Sequence, residues 1–214
     1  VTEEVIKCNI NGQEYTCTSK AQCDSVMAAN TKDIAELKGL FEVDGAHSSV
    51  NFAIKHVITD TKGTINIDSG YVNLDNAAGA KIFIQLDMTS LNTQNSMRDG
   101  HLKDKENFFN VAKFKTSTFE ATEVVKNTEV GEYAYIAKGK LTIKGVAKDV
   151  ELLFNYFGFK EEPAFDETGK ETGTFLVSGF EGEMIINRND FGIEGGGAAD
   201  NVEIGFTLEA YRMK

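Results

Sequence analysis

Hydrophobic and polar residues alternate over most of the chain beyond residue 40. Val50, Phe52 and Ile54 are separated by single residues, and the same step of two recurs in segments 82–88, 150–156 and 202–208. Alternation places every second side chain on one face, which is typical of strands with one buried side. The pattern therefore predicts strands rather than helices here.

Clusters of Gly, Asn and Asp separate the predicted strands. They lie at residues 60–63, 76–79, 127–131, 145 and 166–173, and these residue types favour tight turns. Several strands are long, for example residues 133–143 and 175–186. Long antiparallel strands with one apolar face must curl into a barrel or pair as a sandwich to cover that face. The sequence therefore predicts an all-β fold.

One segment, residues 93–109, interrupts the alternation. Thr93 or Asn95 can cap a helix at its start. The apolar side of this helix would consist of Met97, Leu102, Phe108 and Phe109. We predict a short helix between strands that covers an end or an edge of the sheet.

The first 39 residues have a different organisation. Residues 7–17 predict a hairpin, because Asn11-Gly12 suits a two-residue turn. Ser19 could cap a helix through about Met27, and Thr31 a second short helix through about Lys38. About 40 residues rarely bury enough surface to fold alone. We therefore predict an appendage, residues 1–39, that packs on a barrel domain, residues 40–214, or relies on a disulfide.

All three cysteines, Cys8, Cys17 and Cys23, lie in this appendage. Clustered cysteines are typical of exported proteins, so we expect one disulfide and one remaining thiol that is free or pairs two chains into a homodimer. The spacing does not choose the pair. A zinc site is the rival interpretation, but no His lies near, and three thiolates lack a fourth ligand.

The chain carries 33 acidic and 22 basic residues, a formal charge of −11. Such a field repels polyanions, which argues against nucleic acid and against anionic membrane surfaces as partners. No apolar run approaches the ~20 residues of a membrane span, so we predict no transmembrane segment. Val1 is not an initiator Met and no leader precedes it, so we expect a leader to have been removed or left out.

A Ser-His-Asp site is conceivable at Asp44, His47 and Ser48. His47 and Ser48 are neighbours on a predicted strand, however, so their side chains should diverge, whereas a nucleophile must meet its base. No G-x-S-x-G elbow occurs in the sequence. We therefore predict no catalytic residues.

The three histidines, His47, His56 and His101, do not have the spacing of a known metal site. We expect each to be a partly buried polar residue, and we predict no metal and no cofactor. The run Gly195-Gly196-Gly197 is a mobile turn rather than a phosphate loop, because no helix with Lys-Ser/Thr follows it.

Arg98, Asp99 and His101 fall within one turn of the predicted helix, beside Phe108 and Phe109. They could place polar groups at the mouth of an apolar pocket, or they could form an internal ion pair on a solvated face. Composition leaves a related question open. The 15 Phe and 6 Tyr could fill a core, or they could line a barrel that holds one slender ligand.

Four motifs occur in order along the chain. The segment from Asp44 to His56 has the pattern D-x-x-H-S-x-V-x-F-x-x-x-H, and residues 98–102 have the pattern R-D-x-H-L, followed by the F-F pair at 108–109. Residues 139–146 have the pattern G-x-L-T-I-x-G-V and residues 188–192 the pattern R-x-D-F-G. These motifs resemble those of the YceI-like family of polyisoprenoid-binding, lipocalin-like barrels. Asp149 replaces a common Pro, and residues 1–39 match nothing in the pattern.

The resemblance implies an extended antiparallel lipocalin-like β-barrel of about eight strands, in a bacterial protein exported to the periplasm or secreted. It implies binding, transport or sequestration of a long isoprenoid or fatty-acyl lipid. Together with the alternation, the resemblance predicts a set of ligand contacts. Within this set, Arg98, Asp99 and His101 are expected to lie near the polar end of the lipid. The contacts are Phe52, Ile54, Ile82, Ile84, Leu86, Met88, Arg98, Asp99, His101, Phe108, Phe109, Leu141 and Phe154.

Two alternatives remain at this point. One is an enzyme that acts on an isoprenoid or quinone-type lipid, with His47, Arg98, Asp99 and His101 as its polar groups. The other is an interaction module whose barrel is filled by side chains.

Overall fold

The structure is a computed structural model that describes residues 32–75, 79–128 and 133–214, together with strands 6–10 and 13–17 and residues 19, 22, 25 and 26. Its strands are β1 (Ile6–Ile10), β2 (Gln13–Cys17), β3 (Leu40–Val43), β4 (Ser49–His56), β5 (Thr59–Asn73), β6 (Lys81–Asn92), β7 (Thr116–Lys126), β8 (Tyr135–Ile143), β9 (Val146–Phe165), β10 (Glu171–Asn187) and β11 (Ala198–Met213). Helix α1 spans Ser96–Asp104, and short 3-10 helices span Ile34–Glu36 and Arg188–Phe191.

Strands β4 to β11 form a closed antiparallel ring. Each strand pairs with the next along the chain, and β11 pairs with β4 to close the circle. Inward-facing apolar residues of all eight strands meet in one core. The all-β fold predicted from the alternation is therefore confirmed, and of the barrel and the sandwich that the alternation left open, the structure has the barrel that the resemblance implies.

One position of the ring is shared by two short strands. Strands β3 and β4 both lie between β5 and β11, and residues 44–48 interrupt them. The break forms because the Asp44 carboxylate accepts hydrogen bonds from the amides of Ala46 and His47, at 2.9 and 3.3 Å. The expectation that His47 and Ser48 lie on a strand is wrong, since this turn replaces it.

Up-and-down connectivity sorts the connections between strands to two ends of the barrel. Residues 57–58, 93–115, 144–145 and 188–197 lie at one end, here called the helix end because it contains α1. Residues 74–75, 79–80, 127–128, 133–134 and 166–170 lie at the opposite end, here called the plug end.

The plug end is filled by side chains. Tyr135 stacks near Phe154 and Tyr156 near Phe180, with ring centroids 5.5 and 5.3 Å apart. Ile34, Leu37, Phe41 and Leu74 are buried in the same cluster.

The segment before the barrel supplies two members of this cluster, Ile34 and Leu37. The Tyr135 hydroxyl fixes the segment by donating to the Lys32 carbonyl at 3.1 Å and accepting from the Ile34 amide at 3.3 Å. A short 3-10 turn capped by Asp33 stands here. The prediction of a helix continuing to Lys38 is therefore wrong, because burial of Leu37 holds it in an extended conformation.

Strands β1 and β2 form the predicted N-terminal hairpin, although its Asn11-Gly12 turn lies outside the described residues. Ser19 accepts a hydrogen bond from the Gln22 amide at 3.2 Å, as a helix cap does. Residues 22, 25 and 26 are helical, as predicted, and the other positions of that helix lie outside the described residues. Cys17 is buried and disulfide-bonded, as the clustering predicts. The side chains of Cys8 and Cys23, the two candidate partners, lie outside the described residues.

Within the described part of the chain, no helix is both long and apolar enough to cross a bilayer.

Candidate functional site

A cavity of about 720 Å³ lies inside the barrel, and its lining extends from the helix end to Val72 and Ile82 near the plug end. Inward-facing side chains of the strands form its walls. Its apolar lining includes Val50, Ile65, Ile67, Val72, Ile143, Leu152, Phe180, Met184, Ile186, Ile193, Val202, Ile204, Phe206 and Leu208. Polar side chains line it chiefly where α1 and its flanking loops approach, at Asn95, Arg98, His101, Lys105 and Asn107.

The predicted contact residues gather at this cavity. Ile82, Ile84, Leu86 and Met88 share the inward face of β6 and line it together. Phe52, Ile54, Arg98, His101, Phe108, Phe109, Leu141 and Phe154 line it as well. Asp99 is not among the lining residues. Contact of these residues with a ligand stays a prediction.

Several residues that line the cavity are not among the predicted ligand contacts. Alternation along β10 and β11 would have identified Met184, Ile186 and Val202, because they continue inward-facing rows. No comparable signal exists for Ser117, whose hydroxyl faces an otherwise apolar wall. The sequence also contains no signal that Arg188 lines the cavity, because its motif assigns it to a loop and gives it no role.

Helix α1 begins after Asn95, whose side chain accepts from the Arg98 amide at 3.0 Å. Asp99 ties the helix to the end of β6 by accepting from both the amide and the hydroxyl of Thr93. These hydrogen bonds, the hydroxyl bond first, lower the pKa of Asp99. Asp99 therefore holds the helix in place, and its predicted contact with a ligand is not supported by its position.

Arg98 is held by the same threonine. Its Nε donates to the Thr93 hydroxyl at 2.7 Å and its Nη2 to the Thr93 carbonyl at 2.8 Å. The guanidinium still lines the cavity. Of the two alternatives for this cluster, the first is realised in part, because Arg98 and His101 line the cavity, whereas Asp99 bonds to Thr93.

The predicted extent of the helix is too long. The helix ends at Asp104, and Phe108 and Phe109 lie in the following turns. The Phe109 amide donates to the Leu102 carbonyl at 3.0 Å, which folds the chain back over the barrel. Both phenylalanines are half-buried and line the cavity. Met97, expected on the packed side, is 73% exposed.

A second loop, residues 188–197, faces the helix across the barrel end. The buried Arg188 fixes it by donating to the carbonyls of Ile193, Ala198 and Ala199 at 2.9 to 3.1 Å. The three glycines at 195–197 all have positive φ, between 66° and 88°, a region that disfavours side chains. The glycine run thus allows the loop to pass close over the cavity, which Gly195 and Gly196 line.

Two side chains join these loops. Asn107 donates to the Glu194 carbonyl at 3.0 Å, and Lys144 Nζ donates to the carbonyls of Glu106 and Gly192 at 2.8 and 2.7 Å. Both bridges connect the segment after α1 with the glycine loop. The cover over this end of the barrel is therefore a linked unit.

Asp44, His47 and Ser48 do not form a relay. His47 Nδ1 lies 2.9 Å from Asp44 Oδ2, and this bond raises the pKa of His47. The Ser48 hydroxyl instead donates to the Glu209 carbonyl at 3.3 Å and accepts from the Glu209 amide at 3.0 Å. It stabilises β11 beside the strand break. The expectation that the histidines are partly buried is wrong, since His47, His56 and His101 are all exposed. His56 and His101 line the cavity, whereas His47 does not.

Among the described residues, no group of three or more His, Cys, Asp or Glu side chains is arranged to hold a metal ion.

Two curated relatives align with most of this chain and cover most of their own length. It is 32% identical over 194 residues to a UPF0312 protein of Yersinia enterocolitica, covering 88% of this chain and 93% of the relative. A UPF0312 protein of Vibrio cholerae is 29% identical over 185 residues, covering 85% and 88%.

Solved structures of similar fold include Burkholderia cenocepacia BcnA, with a TM-score of 0.60 and 23% identity over 78% of this chain and 99% of the other. The Campylobacter jejuni YceI protein has a TM-score of 0.55 and 27% identity over 75% and 90%. A polyisoprenoid-binding domain from Saccharophagus degradans has a TM-score of 0.57 and 16% identity over 81% and 98%.

The YceI-like domain model matches residues 41–210, which is nearly the whole barrel and includes all four motifs. The resemblance seen in the sequence is thereby confirmed, and the chain belongs to the YceI-like family.

Proposed function

We propose that this protein binds a long-chain isoprenoid or a similar amphiphilic lipid inside the barrel and carries or sequesters it. The observation that supports this most is the cavity of about 720 Å³, with apolar walls and polar side chains gathered at one end. Pockets for small ligands usually measure about 300–1,000 Å³ and combine apolar walls with a few polar groups.

The energetics favour such a ligand. Each methylene removed from water contributes roughly 0.8 kcal/mol, so a chain of about 20 carbons gains more than about 10 kcal/mol before ordering costs are subtracted. Affinity then depends on the shape and dryness of the cavity, and polar contacts mainly select among head groups. No cofactor or metal is required for this function.

The orientation follows from the distribution of polar groups. The aromatic cluster at the plug end faces an apolar tail, whereas His101, Lys105 and Arg98 stand at the helix end. We propose that the tail points toward Phe154 and Phe180 and that the polar end lies near α1. Asp99 contributes by holding α1 through Thr93.

The relatives support the class of ligand. A neighbour of the same fold is described as a polyisoprenoid-binding domain, and we extend that class to this chain. The disulfide at Cys17 agrees with an oxidising compartment, so we also propose export to the periplasm or beyond.

Extraction of the purified protein with organic solvent, followed by mass spectrometry, tests the function directly. Intact lipid at about one molecule per chain supports a carrier. A chemically altered lipid would instead indicate an enzyme, and the absence of lipid together with failure to take up added prenol would indicate an interaction module.

Binding of a fluorescent isoprenoid probe provides a matched test. Phe109→Asp places a charge at the cavity wall and should abolish uptake. Phe159→Asp changes a phenylalanine of β9 that is 43% exposed and outside the cavity, and should leave uptake unchanged. Equal uptake by both variants at preserved stability would contradict the proposal.

A further inference from the structure

The hairpin that joins β4 and β5 carries two exposed aliphatic side chains at the helix end. Val57 is 77% exposed and Ile58 is 81% exposed, the highest values among the large apolar residues of the described chain. Neither residue lines the cavity. The hairpin tip therefore offers apolar surface that the barrel does not use.

The backbone of this tip is unfavourable for its residues. His56 pairs with Thr59, which leaves Val57 and Ile58 as a two-residue turn, and Val57 has φ of 57°. Such turns favour Gly, Asn or Asp, and positive φ is a marked outlier for a β-branched residue. The turn at Lys144-Gly145, at the same end, has Gly at φ of 75° and the unbranched Lys144 at φ of 53°. Strain retained where a better residue would fit points to a role outside folding.

Other exposed apolar residues accompany the tip. Met97 on α1 is 73% exposed and Ile185 on β10 is 64% exposed, and both belong to the helix end. Among the described residues of the plug end the corresponding values are lower, for example 59% for Phe165. Over the described part of the chain, the end that carries the cavity cover therefore exposes its large apolar side chains more fully.

Charge is also distributed unevenly. The connections at the helix end, residues 57–58, 93–115, 144–145 and 188–197, carry 7 basic and 5 acidic residues. The described residues of the plug-end connections, 74–75, 79–80, 127–128, 133–134 and 166–170, carry 1 basic and 3 acidic residues. The repulsion from anionic surfaces expected from the total charge of −11 is therefore weakest at the helix end.

We propose that the helix end docks on a phospholipid bilayer and that Val57 and Ile58 insert into it. Apolar side chains at the tip of a hairpin can enter the interface to a depth of about 5–10 Å, and each contributes burial of apolar surface. The charge asymmetry orients the barrel with its cavity cover toward the membrane. Docking goes beyond lipid binding in the cavity and rests on separate residues.

Co-sedimentation with vesicles of phosphatidylcholine and phosphatidylglycerol at 4:1 tests the docking. The double variant Val57→Gly with Ile58→Asn removes the apolar tip and places glycine at the turn position with positive φ, so its stability should be maintained or increased. We expect its vesicle affinity to fall about tenfold or more relative to the parent chain. Phe165→Asn, at the plug end, is the matched control and should bind vesicles as the parent does.

Three outcomes would overturn the docking proposal. The first is failure of the parent chain to bind the vesicles, which is the result expected if the tip fits a groove of a protein instead. The second is vesicle binding by the tip variant as strong as that of the parent chain, and the third is a weakening of vesicle binding by Phe165→Asn as large as that by the tip variant. Uptake of the fluorescent isoprenoid in solution should be unchanged in the tip variant. That measurement separates failure of docking from failure of the cavity to bind lipid.

A second observation concerns Ser117, an inward-facing residue of β7. Its side chain is 4% exposed, its residue lines the cavity, and its hydroxyl has no hydrogen-bond partner among the described residues. It pairs across the sheet with Leu86, which lines the same wall. A buried hydroxyl without a partner is unfavourable, so one that faces a cavity is suited to bind an atom that enters it.

We infer that the Ser117 hydroxyl donates a hydrogen bond to an oxygen of the ligand within the barrel. The ligand would then be an oxygen-bearing lipid, such as a prenol, rather than a plain hydrocarbon. This inference deepens the proposed function and depends on it.

Phytol and phytane, an isoprenoid alcohol and its hydrocarbon, are matched probes for this contact. Ser117→Ala should weaken phytol binding about five- to tenfold and leave phytane binding unchanged, because one hydrogen bond is lost. Thr118→Ala, the neighbour facing the other side of the sheet, should change neither. Unchanged phytol binding in Ser117→Ala would overturn only this contact, whereas failure of the parent to bind either probe would overturn the proposed function as well.

Discussion

The two ends of the barrel are built from the same alternation but differ in how their inward-facing side chains meet. At the plug end, aromatic rings on the adjacent strands β8, β9 and β10 contact one another along the inner wall. At the helix end, the inward residues are mostly Ile, Leu, Val and Met, and they surround a cavity of about 720 Å³. Alternation of hydrophobic and polar residues thus establishes which side chains face inward, but it does not establish whether they fill the barrel interior.

The difference arises from side-chain size and from what covers each end. Ile34 and Leu37 enter the plug end from the segment before the barrel and complete its packing. At the helix end, α1 and the glycine loop lie over the barrel and are joined by Asn107 and Lys144. The aliphatic walls beneath them do not reach across a ring of this size.

The largest expected effect on stability comes from truncating one leucine to alanine at each end of the barrel. Leu74→Ala removes a side chain that is 2% exposed within the plug cluster and should lower the free energy of unfolding by about 3–5 kcal/mol. Leu86→Ala removes a cavity-wall side chain that already borders empty space, and we expect a loss of about 1–2 kcal/mol. Urea denaturation measures both. Equal losses would mean that the helix end is packed as tightly as the plug end.

A smaller effect is expected where α1 is attached. Asp99→Ala leaves the buried Thr93 amide and hydroxyl without their acceptor and should lower stability by about 1–2 kcal/mol. Because hydrogen bonds lower the pKa of Asp99, its contribution is present above about pH 3.8 and is lost as the pH falls through the lowered value. Asp104→Ala, at the other end of the helix, is the control and should not destabilise. A similar loss of stability in both variants would show that the hydrogen bonds from Thr93 do not account for the effect of Asp99→Ala.

Two tyrosines of the plug end allow a finer comparison. Tyr135→Phe removes a hydroxyl bonded to Lys32 and Ile34 and should lower stability by about 1 kcal/mol. Tyr156→Phe removes a buried hydroxyl that has no partner among the described residues and should be neutral or stabilising. Thermal unfolding distinguishes them, and the reverse order would contradict this description of the plug.

Tyr156 also has a pH signature. Burial raises its pKa to about 12. Since the folded state favours the neutral phenol, stability should fall as the pH rises between about 10 and 12, and Tyr156→Phe should reduce that fall.

Much of the barrel could be predicted from the sequence because its signals are local. Alternation along β6 places Ile82 to Met88 on one face, and the motifs around Arg98 and Arg188 identify the family. The end of α1 could not be predicted, because the apolar spacing of Phe108 and Phe109 also suits a turn that folds back on Leu102. The contact between Asp99 and Thr93 and the absence of packing in the cavity depend on tertiary arrangement, which periodicity does not encode.

The smallest expected effect lies between the two ends, at the break between β3 and β4. The bond to Asp44 raises the pKa of His47 above its ordinary value of 6.5, and the same bond lowers the pKa of Asp44. The His47 contribution to stability is therefore present below about pH 6.5 and is lost as the pH rises through the raised value, whereas that of Asp44 is lost as the pH falls below about 3.8. NMR titration of the His47 ring should show the raised pKa, and Asp44→Asn should return it toward 6.5. Because His47 is exposed and outside the cavity, His47→Gln should leave both lipid uptake and the stability of either end unchanged. A loss of lipid uptake in His47→Gln would show instead that the strand break is connected to the cavity.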